Sequence, residues 1–254
     1  MRDALGKEEG VQAAGKIALV TGAARRVGKG IALALADRGA HVVITYNHSA
    51  VEAQATLQEI KERGVQAMAL KGDVTRSQDV NGIVQQTMDR FGCIDILVNN
   101  ASNYYKTPFN TLTEEQWDDL VGTNLKGTFL MAKRVGDEML KTGSGKIINL
   151  ADWAGFRPYK DYIPYCVAKA GVIALTKALA KTLAPTIQVN AIAPGPVMLP
   201  EHFSDSQREA VVRATPLKRI GTPQDVAQTV VFLVEGSDFI TGAIIPVDGG
   251  RLIA

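Results

Sequence analysis

The residues KIALVTGAARRVGKG, numbered 16–30, give the clearest indication of how this chain folds. An apolar run enters a glycine-rich turn that contains Gly22 and Gly28, and a helical pattern follows it. Glycines between a strand and a helix allow the backbone to approach a pyrophosphate at the positively polarised helix N-terminus. A tight turn would also use glycines, but a loop in the first strand–turn–helix unit favours a dinucleotide site.

The rest of the chain repeats this alternation of short apolar runs and longer helical patterns. Strands are predicted at residues 16–21, 41–46, 66–70, 94–99, 146–150, 188–193 and 243–247. Helices are predicted at residues 28–38, 49–63, 77–91, 113–141, 162–183 and 222–234. Continuously apolar strands are typical of parallel sheets that are covered on both faces. We therefore predict an α/β fold, a single doubly wound Rossmann-type domain with a seven-stranded parallel sheet and helices on both faces.

Composition narrows the class of protein. The chain is 46% hydrophobic and 21% charged, and its net charge of +2 favours neither nucleic acid nor a membrane as partner. Cys93 and Cys166 provide no metal-binding spacing and no disulfide framework, so we expect a cytoplasmic protein without a metal site. No apolar run is expected to span a bilayer. Residues 1–15 are polar and predict a flexible N-terminal extension, with the folded domain at 16–254.

The end of the second predicted strand discriminates between dinucleotides. In folds of this type an acidic residue there binds the ribose hydroxyls of NAD. The segment YNHS, residues 46–49, contains no acid, and Arg25 and Arg26 lie in the facing loop. Arginine binds a 2′-phosphate that an acid would repel, so the pattern favours NADPH, although both arginines could be solvated surface charges. We place the adenosine end of the cofactor against Tyr46, Asn47, His48 and Ser49.

A second motif supplies candidate catalytic groups. Tyr165 and Lys169 stand four residues apart in a predicted helix, so their side chains share one face. An ammonium beside a phenol stabilises the phenolate, so we expect Lys169 to lower the pKa of Tyr165 and make it a better proton donor. Asp152 lies one short loop upstream.

Several motifs occur in a fixed order along the chain. They are Gly22 and Gly28, Asp73-Val74, Asn99-Asn100-Ala101, Asn124, Tyr165 and Lys169, Pro194-Gly195 and Asp248-Gly249-Gly250. Over residues 16–250 this set resembles the short-chain dehydrogenases/reductases. The resemblance implies that Tyr165 is the catalytic acid/base, that Lys169 binds the nicotinamide ribose, and that Asn124 holds a water that relays protons to Lys169.

The resemblance also implies the cofactor contacts and the assembly. Asp73 and Val74 would bind the adenine end, and Asn99 and Ala101 would line the cofactor path. The expected cofactor-binding residues are Gly22, Arg25, Arg26, Val27, Gly28, Tyr46, Asn47, His48, Ser49, Asp73, Val74, Asn99, Ala101, Ser102, Tyr165, Lys169, Pro194, Gly195 and Val197. The family's sheet order is 3-2-1-4-5-6-7. A homo-oligomer, expected to be a tetramer, would pair the helices at 113–141 and 162–183 across a two-fold axis.

Two positions depart from the common pattern of that family. Arg26 replaces the middle glycine of T-G-x-x-x-G-x-G, and Asp152 replaces the catalytic serine. Both departures resemble the pteridine reductases, whose segment N-N-A-S-x-F-Y-x-T-P is similar to residues 99–108. Val197 stands where that subgroup carries a serine, and residues 198–206 also differ from it. The expected substrate contacts are Ser102, Tyr104, Asp152, Tyr162 and Tyr165, with Tyr104 stacked on a pterin.

The aspartate changes the chemistry that the site can support. A serine donates a hydrogen bond to a developing alkoxide, whereas an ionised carboxylate at about 4 Å would repel it by roughly 4 kcal/mol. A protonated C=N group is instead stabilised by the carboxylate. The sequence therefore predicts that residues 16–254 form an NADP-binding reductase of a pterin-like nitrogen heterocycle. A buried, protonated Asp152 would restore a hydrogen-bond donor.

Two alternatives remain open at this point. One is a ketoreductase of the 3-oxoacyl-carrier-protein reductase type, with which the chain shares the stretch PLKRIGTP at residues 216–223. The other is a non-catalytic NADPH-binding sensor, in which Asp152 would mark the loss of activity.

Overall fold

The computed structural model describes residues 12–199 and 203–254. Its strands are β1 (Ile17–Val20), β2 (His41–Tyr46), β3 (Ala67–Lys71), β4 (Ile96–Asn99), β5 (Gly145–Leu150), β6 (Ile187–Pro194) and β7 (Ile244–Val247). Its α-helices are α1 (Arg26–Asp37), α2 (Ala50–Lys61), α3 (Ser77–Phe91), α4 (Glu114–Val121), α5 (Gly127–Thr142), α6 (Ile163–Leu183), α7 (Asp205–Arg213) and α8 (Pro223–Glu235). A π turn lies at Gly122–Lys126, and 3₁₀ turns lie at Trp153–Gly155 and Arg251–Ile253.

The strands form one parallel sheet in the order β3-β2-β1-β4-β5-β6-β7, which confirms the predicted topology. Val20 pairs with Val98, and Asn99 pairs with Asn149, so the carboxyl ends of β1, β4 and β5 lie side by side. The chain order reverses direction between β1 and β4. In open α/β sheets this switch point forms a crevice at the carboxyl ends of the strands, where ligands bind.

Each face of the sheet is covered by helices, because alternate side chains of every strand point to opposite faces. Ala18 and Val20 of β1 pack in the cluster that contains α1 and α8, whereas Leu19 packs with α3 and α5. Large side chains such as Leu19 and Ile31 are fully buried. Each contributes roughly 1.5–3 kcal/mol on leaving water, so the two apolar layers hold the strand ends rigidly in place.

The helices differ from the sequence prediction in two places. The helix expected over 113–141 contains the π turn between α4 and α5, which adds one residue to a turn and reorients the side chains around Asn124. Helix α7 was not predicted, because no residue of it is buried and it lacks an apolar stripe. Its capping box, Ser204 with Gln207, was the available signal.

The folded domain begins earlier than residue 16. Residues 1–11 of the expected extension lie outside the described residues. Ala13 is fully buried, and its backbone N–H donates to Glu235 Oε1 at 3.2 Å. The Gly15 N–H donates to the Gly39 carbonyl at 2.9 Å. Ala13 and Gly15 are therefore part of the domain.

Helix α6 is long and apolar enough to span a bilayer by length and composition alone. The expectation that no apolar run has this length was therefore wrong. Half of its most apolar window is buried within the fold, and its inner face packs on β6. Tyr165 and Lys169 lie on that buried side, so α6 is a core helix of the α/β domain.

Candidate active site

A single large cleft of about 1350 Å³ opens at the carboxyl ends of the central strands. Nearly every predicted site residue lines it, so the predicted cofactor and substrate contacts share one continuous space. The exceptions are Asn99, Asn124 and Tyr162. Asn99 is buried, and its amide donates to Asn149 Oδ1 at 2.9 Å, so Asn100 lines the cleft in place of Asn99.

The glycine-rich loop follows β1 and forms one wall of the cleft. Gly22 has a φ of 61°, and a Cβ there would lie 2.8 Å from the Ala101 Cα. A Cβ on Gly28 would lie 2.5 Å from Asn100 Nδ2 and 2.6 Å from the Gly22 carbonyl oxygen. The Asn100 amide donates to the Thr21 and Gly22 carbonyls at 2.9 and 3.0 Å, which braces the loop. Both glycines are therefore required by the close approach of the backbone.

Arg26 occupies the position where the family pattern has a glycine. Its φ of 56° lies in the left-handed region, which costs a non-glycine residue roughly 1–2 kcal/mol. Glycine adopts a positive φ without this cost, which explains why the family pattern has glycine at this position. The Arg26 guanidinium donates to the Met198 carbonyl at 3.2 Å, so it links the phosphate loop to the segment after β6.

The end of the cleft that was predicted to bind the adenosine contains basic side chains and an acid-free segment. The segment from Tyr46 to Ser49 lines the cleft beside Arg25 and Arg26, and no carboxylate of that segment opposes a 2′-phosphate. Asp73 lies next to it, where its carboxylate accepts from the Thr75 N–H at 2.9 Å and the Thr75 hydroxyl at 2.7 Å. Burial raises the pKa of Asp73, but the hydrogen bonds from Thr75 outweigh that effect and lower it.

Asp152 lies at the centre of the catalytic end of the cleft. Its Oδ2 accepts from the Tyr165 hydroxyl at 2.9 Å, and its Oδ1 accepts from the Tyr159 hydroxyl at 3.1 Å. The Ala154 N–H donates to Oδ1 at 2.7 Å and fixes the carboxyl plane at the start of a 3₁₀ turn. The carboxyl group therefore points into the cleft and contacts the candidate acid directly.

The pKa of Tyr165 shifts in the direction opposite to the sequence prediction. Burial, followed by the charge of Asp152, raises it well above its ordinary value. Lys169 Nζ donates to the Leu150 carbonyl at 2.8 Å and lies 5.6 Å from the Tyr165 ring centroid. Asp152, rather than Lys169, is the group in contact with the phenol. The expectation that Lys169 governs this pKa was therefore wrong.

Two further titratable groups are shifted by the same surroundings. Burial raises the pKa of Asp152, although the Ala154 N–H and the charge of Lys169 act in the opposite direction. Burial lowers the pKa of Lys169 to about 8, while the charge of Asp152 opposes that shift. Burial therefore shifts both Asp152 and Lys169 toward their uncharged forms.

Asn124 lies in the π turn, fully buried behind the cleft wall. Its amide nitrogen donates to the Leu120 carbonyl at 2.9 Å and to Asn103 Oδ1 at 2.6 Å. Its oxygen accepts from the Ser102 hydroxyl at 2.6 Å. These contacts fix the Ser102–Asn103 segment. The role of Asn124 in a proton relay stays a prediction.

Aromatic rings form the substrate end of the cleft. Tyr104 stacks on Tyr162 with centroids 4.6 Å apart and an interplanar angle of 6°. It also lies edge-on to Tyr165, with centroids 4.8 Å apart. Tyr104 remains 46% exposed, so part of its ring is available to a ligand, whereas Tyr162 supports it from outside the cleft lining.

Sequence reasoning missed Tyr159 and Arg251. Tyr159 lies before α6, so no helical spacing connects it to Tyr165, and only the fold brings its hydroxyl to Asp152. Its backbone N–H donates to Cys166 Sγ at 3.3 Å, which gives Cys166 a supporting contact that was not expected. Trp153 lines the cleft beneath the Arg251 guanidinium.

Comparisons with known proteins agree with this fold. A family model described as Enoyl-(Acyl carrier protein) reductase matches residues 22–251. The chain is 40% identical over 239 residues to the 3-oxoacyl-[acyl-carrier-protein] reductase FabG of Staphylococcus epidermidis, covering 92% of this chain and 98% of that protein. It is 38% identical over 242 residues to the (2S)-[(R)-hydroxy(phenyl)methyl]succinyl-CoA dehydrogenase subunit BbsD of Thauera aromatica, covering 93% and 96%.

A comparison with solved structures also finds a reductase with a similar fold. The crystal structure of the actinorhodin polyketide ketoreductase with NADPH superposes with a TM-score of 0.90 at 32% identity, covering 94% of this chain and 98% of that one. This chain belongs to the short-chain dehydrogenase/reductase family and is an oxidoreductase. The relatives named here favour the ketoreductase alternative over the pteridine reductase subgroup.

Proposed function

We propose that this protein is an NADPH-dependent ketoreductase that reduces the ketone of a 3-oxoacyl thioester. The observation that carries the proposal is 40% identity to a 3-oxoacyl-[acyl-carrier-protein] reductase across 92% of the chain, with Tyr165 and Lys169 in place. A cytoplasmic location and a homotetramer accompany this proposal, as expected from the family.

The residues of the phosphate loop and of the β2 end support NADPH as the cofactor. The backbone at Gly22 and Gly28 leaves no space for a side chain, and Arg25 and Arg26 supply cations beside an acid-free segment. NADPH, when bound, supplies the hydride. We expect NADPH to bind at least about tenfold more tightly than NADH, a difference of about 1.4 kcal/mol. Fluorescence titration of both cofactors tests this, and equal affinities would remove the assignment.

The chain's own residues would handle the proton. Tyr165 would donate it to the oxygen of the reduced carbonyl, because its hydroxyl is the acidic group that faces the cleft. Lys169, buried beside Leu150, would stabilise the resulting Tyr165 phenolate with its positive charge. Asp152 must be protonated in this reaction, because a carboxylate would repel the developing alkoxide.

Burial supports a protonated Asp152, since it raises the pKa of that carboxyl. A protonated Asp152 offers the hydrogen-bond donor that a serine offers in other family members. It also removes the negative charge that raises the pKa of Tyr165. Protonation of Asp152 would thus make its carboxyl group a hydrogen-bond donor and would make Tyr165 a better proton donor.

A second candidate substrate is a pterin-like nitrogen heterocycle. The observation that favours it is the carboxyl group of Asp152 beside the exposed ring of Tyr104, which could stack on a flat substrate. An ionised Asp152 would stabilise a protonated C=N. The two candidates therefore require opposite protonation states of the same residue.

NADPH oxidation measured with an acetoacetyl thioester and with a dihydropterin separates these candidates. Ketone reduction should slow as pH rises through the pKa of Asp152, whereas heterocycle reduction should accelerate, both measured below pH 8, where Lys169 keeps its charge. Asp152→Ser should preserve or raise ketone turnover and abolish pterin turnover. A parent that reduces the dihydropterin far better than the thioester would overturn the main proposal. A parent that binds NADPH but oxidises it with neither substrate class would favour the non-catalytic sensor.

A further inference from the structure

The Arg251 side chain has no hydrogen-bonding partner in the part of the chain that the structure describes. Its side chain forms no ion pair within residues 12–199 and 203–254, and its Nε is buried with no hydrogen-bond partner there. The guanidinium lies 4.9 Å from the Trp153 ring centroid. A stacked arginine keeps its in-plane N–H donors free, so Arg251 presents unused donors at a fixed place.

The position of Arg251 connects two cavities. Arg251, Trp153 and Tyr159 line both the main cleft and a neighbouring cavity of about 660 Å³. Tyr159 in turn donates to Asp152. A substrate whose reacting carbon lies at Asp152 and Tyr165 can therefore extend past Tyr159 and Trp153 to reach Arg251.

The second cavity has a strongly positive lining. Arg157, Arg213, Lys218 and Arg251 line it, and no aspartate or glutamate does so among the described residues. Glu209 pairs with Arg213 at 3.2 Å and offsets that charge, but both side chains are largely exposed and the pair is weak. Arg157 donates to the Arg251 carbonyl oxygen and to an oxygen of Ala254, which holds the segment that carries Arg251.

We infer that the substrate carries an anionic group, a phosphate or a carboxylate, that binds Arg251 where the two cavities join. This inference rests on the proposed function for the placement of the ketone at Tyr165. Bidentate binding by the guanidinium fork suits either anion, and the surrounding cations strengthen the attraction. The anion is either the phosphate of a pantetheine-type thioester carrier or a carboxylate of the acyl group itself.

Calorimetric binding in the presence of NADPH tests the inference without turnover. The probes are 4′-phosphopantetheine, its neutral counterpart pantetheine, and succinate. The parent should bind phosphopantetheine about tenfold or more tightly than pantetheine, as one charge-assisted contact provides. Arg251→Gln should remove this difference, and Arg251→Lys should keep part of it. Unchanged NADPH affinity and circular dichroism show that the variants are folded.

Arg90→Gln is the matched control, because Arg90 also lies over an aromatic ring, at 5.5 Å from the Phe91 centroid, but outside both cavities. It should leave the phosphate preference unchanged. Succinate that binds only when Arg251 is present would identify a carboxylate as the anion and support the inference. If neither anion shows a preference that depends on Arg251, the inference is wrong, even where ketone reduction itself is found.

Discussion

Burial and hydrogen bonding act in opposite directions on Asp152. Three donors reach its carboxyl oxygens, from Tyr165, Tyr159 and the Ala154 N–H, and they favour the ionised form. Burial favours the neutral form and is the larger effect. Because these effects oppose each other, the charge of a bound substrate can influence whether Asp152 is protonated.

Tyr165→Phe should lower turnover by roughly two to four powers of ten while NADPH still binds, because it removes only the proton-donating hydroxyl. Steady-state NADPH oxidation and cofactor titration measure the two effects. Tyr105→Phe is the control, since its hydroxyl donates to Asp119 at 2.8 Å and does not line the cleft. Turnover within a few-fold of the parent in Tyr165→Phe would exclude Tyr165 as the acid.

Asp152→Asn should change how the free energy of unfolding depends on pH. Burial raises the folded-state pKa of this carboxyl above its unfolded value of roughly 3.9. Its stabilising contribution is complete below the unfolded pKa and is lost as pH rises through the folded pKa. The parent should therefore lose stability relative to the variant as pH rises above about 4. Chemical denaturation at a series of pH values measures this.

Asp73→Asn should change the pH dependence of the free energy of unfolding in the opposite direction and serves as a comparison. The folded-state pKa of Asp73 is lowered, so its contribution is present above the unfolded pKa and is lost as pH falls through the folded one. If Asp152→Asn and Asp73→Asn shift the pH profile in the same direction, the assigned pKa shift of Asp152 is wrong.

At the scale of elements, the sequence predicted the strands and the phosphate loop because their signals are local. Buried parallel strands are apolar throughout, and Gly22 and Gly28 are required by contacts within a strand–turn–helix unit. The π turn and the contact of Tyr159 with Asp152 depend on tertiary packing, which leaves no periodic trace in the sequence. The pKa of Tyr165 was mispredicted because helical spacing gives a shared face but not the nearest charge.

Gly28→Ala should weaken NADPH binding by more than about tenfold, because its Cβ would meet the Gly22 carbonyl oxygen at 2.6 Å and push the loop outward. Fluorescence titration measures the loss. Gly82→Ala in α3 is the matched control, because a Cβ there meets nothing within 4 Å. The control should keep NADPH affinity and gain about 0.5–1 kcal/mol in stability. Equal NADPH affinity in both variants would contradict the assigned role of the loop.

At the scale of the whole molecule, large apolar side chains remain exposed along one side. Helices α4, α5 and α6 carry Trp117, Phe129, Leu140, Ile163 and Val167, all more than a third exposed. Exposed apolar side chains on helices that contact one another are typical of an interaction surface. The predicted tetramer would cover it by pairing α5 and α6 between subunits.

Val167→Glu should therefore dissociate the tetramer, because it places a charge on a residue that is 46% exposed in the single chain and would be buried in the assembly. Analytical ultracentrifugation of the parent and the variant measures the mass. Val51→Glu on α2 is the control, as Val51 is 82% exposed and lies on a different helix. A parent that sediments as a monomer would contradict the predicted tetramer.

The stacked pair of Tyr104 and Tyr162 has a consequence for the shape of the substrate. Tyr104 stacks on Tyr162 and forms a T-shaped contact with Tyr165, so two neighbouring rings support its orientation. The supported ring of Tyr104 therefore limits how thick a substrate can be at this point of the cleft. Acyl chains of different lengths should be accepted with similar efficiency, whereas a methyl branch on the carbon next to the ketone should collide with the ring and be rejected.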